Sequence, residues 1–192
     1  QLPKKVMQTF KHISTSDKNN YFSITKLPGE EKRFFMLGEG ELIKSIYNKL
    51  KQSIGVADYN RWNSSDIEAK IPNIFKESQG QFIPQSLNLD ILNAVNFKKG
   101  CYTGQEIVAR THYLGDSKRR MFQADLSINE LFNIGDPILA NNNKVGQVVN
   151  YYEGNPGSFR LLIEIRIDEA ESILSLKNNV LSINLSDMHL FS

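Results

Sequence analysis

The sequence predicts an α+β region over residues 1–117 followed by a C-terminal antiparallel β-barrel over residues 118–192. An apolar repeat of helical spacing begins after Glu41, which indicates helices in the first region. After Gly115 the chain changes to short β-rich runs that are separated by turn residues. Such runs at this spacing are typical of a small antiparallel barrel or sandwich.

The α+β region is predicted to begin with a loop and a hairpin and to continue with helices. Residues 1–20 are polar and lack periodicity, so we expect a loop there. Pro28-Gly29 marks a turn between two β-like runs. Apolar residues recur every four positions from Leu42 to Ile54, which predicts an amphipathic helix. The predicted elements are strands over 21–25 and 33–37 and helices over 41–54, 62–69 and 88–97.

The second region is predicted to contain five strands. Turn signals at Gly135-Asp136, at the three asparagines 141–143 and at Asn155-Pro156-Gly157 separate its β-rich runs. The predicted strands cover residues 120–126, 137–140, 144–152, 159–167 and 180–185.

Composition narrows the classes of site that the chain can hold. One cysteine excludes an internal disulfide and a closed four-cysteine iron–sulfur site, and it fits a reducing compartment. The three histidines are not paired closely with it, so we predict no metal site. The longest apolar runs are too short to span a bilayer, and the net charge of +2 is too small to imply nucleic acid by itself.

The segment around Cys101 contains the strongest local signal. Thr103 and Glu106 match a capping box, and Tyr102 and Ile107 would form a hydrophobic staple, so a helix is predicted to begin at Thr103. Cys101 would then lie just before a helix N-terminus and close to lysines, which would favour the thiolate and lower the thiol pKa. The alternative is a small buried hydrophobic side chain, which is the more frequent role of a lone cysteine.

The same segment is basic. Between residues 98 and 120 there are six Lys or Arg and two acidic residues, a net charge of +4. This cluster would suit an anionic ligand such as a polyglutamate tail or RNA phosphate, and a solvated basic face explains it equally well.

Three stretches of the sequence closely resemble the hallmark of the YgfZ family, with their spacing intact. Trp62, followed by Ile67-Glu68-Ala69 and Pro72, fits the same pattern upstream, and Gly115 with Lys118-Arg119-Arg120 fits it downstream. The three stretches are Phe82-Ile83-Pro84-Gln85, Asn88-Leu89-Asp90 and Phe97-Lys98-Lys99-Gly100-Cys101-Tyr102-Thr103-Gly104-Gln105-Glu106-Ile107-Val108-Ala109-Arg110.

The resemblance implies a fold, a ligand and a role. The fold is that of the related glycine-cleavage T-protein, an aminomethyltransferase-like α+β ring around a folate-sized hole with a C-terminal β-barrel, in which on the order of a hundred further N-terminal residues complete the ring. The ligand is tetrahydrofolate or a derivative. The role is to support iron–sulfur cluster biogenesis or repair and iron–sulfur enzymes that modify tRNA, in the bacterial cytoplasm, or in the mitochondrial matrix of a eukaryote.

The resemblance also implies site residues and partners. Cys101 would be the reactive residue, with Lys99 beside it. The partners would be folate and, transiently, iron–sulfur client enzymes, with any contact to tRNA indirect and no membrane partner. The folate contacts would come from Trp62, Tyr102, Gln105, Glu106 and Arg110.

Two departures and two alternatives accompany this hypothesis. Lys70 stands where the family usually has glycine, and Asp66 stands where arginine or asparagine is common, which puts a ligand contact at Asp66 in doubt. A folate-dependent aminomethyl transferase is the first alternative, and it needs a carboxylate positioned near the folate nitrogen. Direct tRNA binding through the basic segment is the second, and its affinity should fall steeply with salt.

Overall fold

The chain forms two units that differ in architecture. A computed structural model describes residues 12–17, 20–98, 100, 102–115, 117–186 and 188. Internal contacts divide the chain between Ala69 and Lys70. The first unit is mixed α/β and the second is mostly antiparallel sheet, so the predicted α+β class with a C-terminal barrel is confirmed.

A three-stranded antiparallel sheet forms the start of the first unit. Its strands are β1 (His12–Asp17), β2 (Asn20–Lys26) and β3 (Phe34–Gly38), in that spatial order. β2 and β3 confirm the predicted hairpin. The prediction of a loop throughout residues 1–20 was wrong for β1, which has a polar, aperiodic sequence and owes its extended form to backbone pairing with β2.

Helix α1 (Gly40–Ser53) confirms the predicted amphipathic helix. The carboxylate of Glu39 accepts hydrogen bonds from the N–H groups of Glu41 and Leu42, at 3.2 and 3.0 Å, and so caps its N-terminus. These bonds lower the pKa of Glu39. None of the fourteen residues of α1, all of which the structure describes, is buried, so the helix rests on the sheet through partly covered side chains only.

Helix α2 (Tyr59–Glu68) begins three residues before its predicted start. Asp58 caps it by accepting a hydrogen bond of 2.9 Å from the N–H of Arg61. This N-cap places the start of the helix at Tyr59, ahead of the predicted start at Trp62. Ile67 is fully buried and anchors the helix in the first unit.

The second unit begins with a segment of turns and short helices, which includes helix α3 (Gln105–Leu114). Two 3₁₀ turns, Lys76–Ser78 and Pro84–Leu87, precede that helix. The helix predicted over residues 88–97 is wrong. Asn88 and Asn93 adopt left-handed backbone conformations (φ 60° and 55°), which a continuous helix cannot contain, and turns occupy the region instead.

Seven antiparallel strands then form one sheet, in the order β10-β4-β7-β6-β5-β8-β9. The first four predicted strands are confirmed, and the fifth is divided in two. The short strand β8 was not predicted, because three residues leave too little pattern to recognise. The strands are β4 (Arg119–Ser127), β5 (Pro137–Ala140), β6 (Asn143–Asn155), β7 (Ser158–Arg166), β8 (Leu174–Leu176), β9 (Asn179–Val180) and β10 (Ser182–Ile183).

The last two strands nearly close this sheet into a barrel. β9 lies at one edge of the sheet and β10 at the other, yet only Leu181 separates them in the chain. β9 pairs with β8, and β10 pairs with β4. The N–H of Leu181 donates to the carbonyl oxygen of Leu174 at 2.9 Å, and its side chain is buried. The two edges of the sheet therefore meet at this residue, as barrel closure requires.

The barrel interior is the main hydrophobic core. Among the described residues it includes buried side chains from strands β4 to β8 and from the connections between strands, among them Phe122, Ile138, Val148 and Ile163. Strands β6 and β7 approach so closely that a Cβ added at Gly146 would lie 2.0 Å from the carbonyl oxygen of Glu164. Glycine is therefore required at this position by space.

The predicted division near residue 117 between a folate-binding region and the barrel stays a prediction, as does the T-protein-like ring. Within the second unit, the 3₁₀ turn Pro84–Leu87 contacts strand β4, so the segment before residue 117 packs on the sheet. No helix among the described residues is long and apolar enough to cross a membrane.

Candidate functional site

The structure describes five of the seven predicted site residues. Cys101 and Lys99 lie outside the described residues, and their roles stay predictions. The described residues divide between the two units: Trp62 belongs to the first, and Tyr102, Gln105, Glu106 and Arg110 belong to the second.

Helix α3 begins differently from the prediction. Its N-cap is Gly104 in the left-handed conformation (φ 86°), and no side chain caps the helix, so the Thr103–Glu106 capping box is wrong. The side chain of Gln105 instead accepts a hydrogen bond of 3.2 Å from the N–H of Tyr102. With Thr103 as the N-cap, Gly104 would be the first helical residue. Its left-handed backbone excludes this, so the helix begins at Gln105 instead.

Three of the four predicted ligand contacts on this segment present free side chains. Tyr102, Glu106 and Arg110 are exposed, and none forms a side-chain hydrogen bond or ion pair with another described residue. Gln105 is partly buried and is used in the turn. The predicted staple is absent, because Tyr102 and Ile107 are both at least half exposed.

A buried polar cluster, formed by Gln85, Asn88, Asp90 and Arg120, connects this segment to the barrel. The side-chain amide of Gln85 donates to the carbonyl oxygen of Val108 in α3 at 2.6 Å. Asn88 donates to the carbonyl oxygen of Met121 at 2.7 Å and accepts from its N–H at 3.2 Å, so its amide pairs with β4 as a neighbouring strand would. These bonds fix α3 and β4 to the same turn segment.

The ion pair between Asp90 and Arg120 completes the cluster. Nη1 of Arg120 lies 2.7 and 3.0 Å from the two carboxylate oxygens of Asp90 and 2.8 Å from the carbonyl oxygen of Gln85. The two charged side chains are only 10% and 16% exposed, so the pair is largely removed from water. This stretch of the family hallmark thus has a structural role that the sequence did not reveal.

The basic segment is less charged at its surface than its sequence suggests. Arg120 is paired with Asp90, and Arg119 lies 2.9 Å from the carboxylate of Glu164. Burial raises the pKa of Glu164, although Arg119 opposes this shift. Two of the six cations in the segment therefore have a carboxylate partner, Arg120 in a largely buried pair and Arg119 in a pair that is partly exposed.

Trp62 is held from one side by an arginine. The guanidinium carbon of Arg33 lies 5.1 Å from the centroid of the Trp62 ring, a cation–π distance. Nη1 of Arg33 is 2.7 Å from a carboxylate oxygen of Asp66, and both charged side chains are less than 10% exposed. Trp62 itself remains 37% exposed. Asp66, which stands where the family commonly has arginine or asparagine, is thus ion-paired with Arg33.

The loop before β3, which includes Arg33, makes a second contact with α2 through Glu31. The carboxylate of Glu31 accepts hydrogen bonds from Arg61 and from the hydroxyl of Ser65, the latter at 2.8 Å. The hydrogen bond from Ser65 and the interaction with Arg61 lower the pKa of Glu31. The loop before β3 therefore contacts α2 twice, through Glu31 at Arg61 and Ser65 and through Arg33 at Asp66.

Three aromatic rings lie together at the end of α3. The rings of Phe97 and His112 are parallel, with centroids 3.7 Å apart, and Tyr113 meets His112 edge-on at 4.8 Å. His112 and Tyr113 are exposed. Sequence reasoning missed this cluster and Arg33, because both depend on residues that are distant in sequence. Only the spacing of Trp62 and Asp66, one helical turn apart, could have suggested that they share a face.

Sequence comparisons identify the class of protein. No family model matches the chain. The chain is similar to curated bacterial proteins named tRNA-modifying protein YgfZ: it is 34% identical to that of Colwellia psychrerythraea over 140 residues, 39% identical to that of Yersinia enterocolitica over 118 residues and 31% identical to that of Yersinia pestis over 175 residues. These matches cover 71%, 62% and 88% of the chain.

The chain therefore belongs to the YgfZ family. The same three matches cover 43%, 34% and 52% of the relatives, so the chain spans about half of their length or less.

Proposed function

We propose that this chain is part of a folate-binding accessory protein that supports iron–sulfur-dependent tRNA modification. The observation that carries the proposal is its sequence similarity to proteins named as tRNA-modifying. The folate and iron–sulfur parts of the proposal come from the resemblance of the segment 97–110 to the family hallmark.

The surroundings of Trp62 support the folate part. A pterin is a planar ring, and an indole with an accessible face can stack on it. Trp62 is partly exposed and is held by Arg33, so its ring needs little reordering when a ligand binds. In the second unit, the side chains of Tyr102, Glu106 and Arg110 are exposed, form no hydrogen bond or ion pair with another described residue, and suit polar contacts to a ligand.

The cellular test uses the complete protein in a host that lacks its own family member. Substituting Cys101→Ala should lower the methylthiolated nucleosides of tRNA, measured by mass spectrometry, to the level of the deletion strain. Thr103→Ala, an exposed neighbour that does not cap α3, is the matched control and should leave the nucleosides unchanged. Full modification with Cys101→Ala would refute the role of the thiol, and no rescue by the wild type would refute the proposal as a whole.

Two largely buried carboxylates of the described residues do not suit the transferase alternative. Asp66 and Asp90 are each ion-paired with an arginine. A general base for folate chemistry should be available to accept a proton, and a paired carboxylate is poorly suited to that. Formation of methylene-tetrahydrofolate from an aminomethyl donor by the complete protein would reverse this preference.

Direct tRNA contact is a second candidate, which the aromatic cluster favours. The rings of His112 and Tyr113 are exposed, and the exposed cations Lys98 and Arg110 lie close to the cluster in sequence. Aromatic rings together with cations are typical of surfaces on which unpaired bases stack. Binding of this kind should weaken steeply with salt and should be lost in Tyr113→Ala. If the protein does not shift the electrophoretic mobility of tRNA at low salt, direct tRNA binding is excluded.

A further inference from the structure

Trp62 is partly covered and partly accessible. The guanidinium of Arg33 lies over the ring, with its carbon 5.1 Å from the ring centroid. Trp62 nevertheless keeps 37% of its surface exposed. A ligand can therefore reach the residue beside its contact with Arg33.

Arg33 is itself immobilised by the same helix that carries the ring. Trp62 and Asp66 are four residues apart on α2 and so lie on one face of the helix. The 2.7 Å contact between Arg33 and Asp66 links that face to the loop before β3, and the backbone bond from the N–H of Leu27 to the carbonyl oxygen of Arg33 (2.9 Å) closes the loop. The position of the guanidinium over the ring is therefore fixed by two independent contacts.

One amino group of Arg33 has no hydrogen-bond acceptor among the described residues. Its Nη2 is buried and unpaired, whereas Nη1 is bonded to Asp66. A buried donor without an acceptor is rare in folded proteins. The guanidinium carbon lies 5.1 Å from the centroid of the electron-rich Trp62 ring, and a guanidinium at this distance gains cation–π attraction.

We infer that Arg33 is a positioning residue for ligand binding: fixed by Asp66, it holds the indole of Trp62 with one face covered and the other presented to a planar heteroaromatic ring. This inference rests on the proposed function for the identity of that ring, the pterin of tetrahydrofolate. The result is a three-layer stack of guanidinium, indole and pterin. Because the middle layer is already ordered, the ligand does not have to immobilise it.

The test uses the complete protein and follows both the ligand and the ring. Trp62 is the only tryptophan among these 192 residues, so once every tryptophan elsewhere in the complete protein is replaced by phenylalanine, emission anisotropy and quenching by acrylamide report on this ring alone. Tetrahydrofolate binding is measured by calorimetry, which avoids absorption by the ligand. In Arg33→Met, which keeps the length of the side chain and removes its charge, we expect at least tenfold weaker binding, lower anisotropy and stronger quenching. Arg33→Lys should restore part of both readouts.

Two further variants keep the inference falsifiable. Lys44→Met removes an exposed cation of the same unit that contacts neither Trp62 nor the loop before β3, and it should change the affinity less than twofold. If Arg33→Met does not fold because it leaves a buried carboxylate unpaired, the double variant Arg33→Met/Asp66→Asn removes that charge and is used instead.

The outcomes separate the inference from the proposed function. Unchanged affinity and unchanged anisotropy in the Arg33 variants would overturn the inference while leaving folate binding intact. Failure of the wild type to bind tetrahydrofolate would overturn the proposed ligand, and the anisotropy and quenching would still decide whether Arg33 holds the ring.

Discussion

Removing the carboxylate of Asp90 should destabilise the second unit far more than removing that of Asp125. Both aspartates pair with an arginine at the same closest distance of 2.7 Å, and in both pairs one partner lies on strand β4. The pairs differ in burial. The side chains of Arg120 and Asp90 are 10% and 16% exposed, whereas those of Arg160 and Asp125 are 36% and 58% exposed.

Burial sets the expected magnitudes. Asp90→Ala leaves the charge of Arg120 in a mostly dry environment, where loss of one partner typically costs about 3–5 kcal/mol. The residual exposure of the pair lets some water compensate, so we expect about 3 kcal/mol. Asp125→Ala breaks a solvent-screened pair, and such pairs contribute about 0–1 kcal/mol.

The assay is urea unfolding followed by far-ultraviolet circular dichroism, which monitors the strands of the barrel. Tryptophan fluorescence is unsuitable, because Trp62 lies in the first unit. The double variant Asp90→Leu/Arg120→Met removes both charges and should lose less stability than Asp90→Ala alone. Equal losses for Asp90→Ala and Asp125→Ala would refute the argument that burial, rather than distance, decides the strength of these pairs.

Three further predictions concern stability. Gly146→Ala places a methyl group against backbone that cannot yield, so we expect a loss of about 3 kcal/mol in the same assay, with Gly115→Ala, which meets nothing within 4 Å, as an unaffected control. Because the pKa of Glu164 is raised, the folded state retains a proton that the unfolded state releases above about pH 4.5. The wild type should therefore lose stability relative to Glu164→Gln as the pH rises from 4 to 7. A difference in unfolding free energy between the two proteins that stays constant over this range would contradict the prediction. The lowered pKa of Glu39 has the opposite effect on stability: its contribution is fully present above pH 4.5 and is lost as the pH falls through the lowered value. In Glu39→Gln, the stability of the first unit should therefore depend less on pH in the acid range. Unfolding of this unit is followed by Trp62 fluorescence.

Local patterns predicted most of the regular elements, because those elements depend on neighbours in sequence. The apolar repeat of α1 and the asparagine turn between β5 and β6 are examples. Asn141 and Asn142 both have positive φ (48° and 65°), as the two-residue hairpin turn requires. The errors occurred where distant contacts decide. β1 forms by pairing with β2, and residues 88–93 form turns in which the amide of Asn88 bonds to β4 instead of supporting a helix.

The candidate site was predictable only in part, for the same reason. Trp62 was selected from the family motif, but the motif does not reveal that Arg33 and Asp66 surround it. Arg33 precedes Asp66 by thirty-three positions, and Gln85 precedes the Val108 carbonyl that it bonds by twenty-three. No spacing rule connects such pairs. The start of α3 was misplaced because Thr103 fits a capping box by residue type, while the left-handed backbone of Gly104 excludes it.

The closure at Leu181 has a consequence for the synthesis of the protein. Strand β4 borders β10, which is the last of the described strands in chain order, so β4 keeps one unpaired edge until residue 183 has been translated. An unpaired strand edge is a template for association with other chains. The growing polypeptide therefore exposes the unpaired edge of β4 during most of the synthesis of the barrel. A chaperone that binds this edge should raise the yield of folded protein.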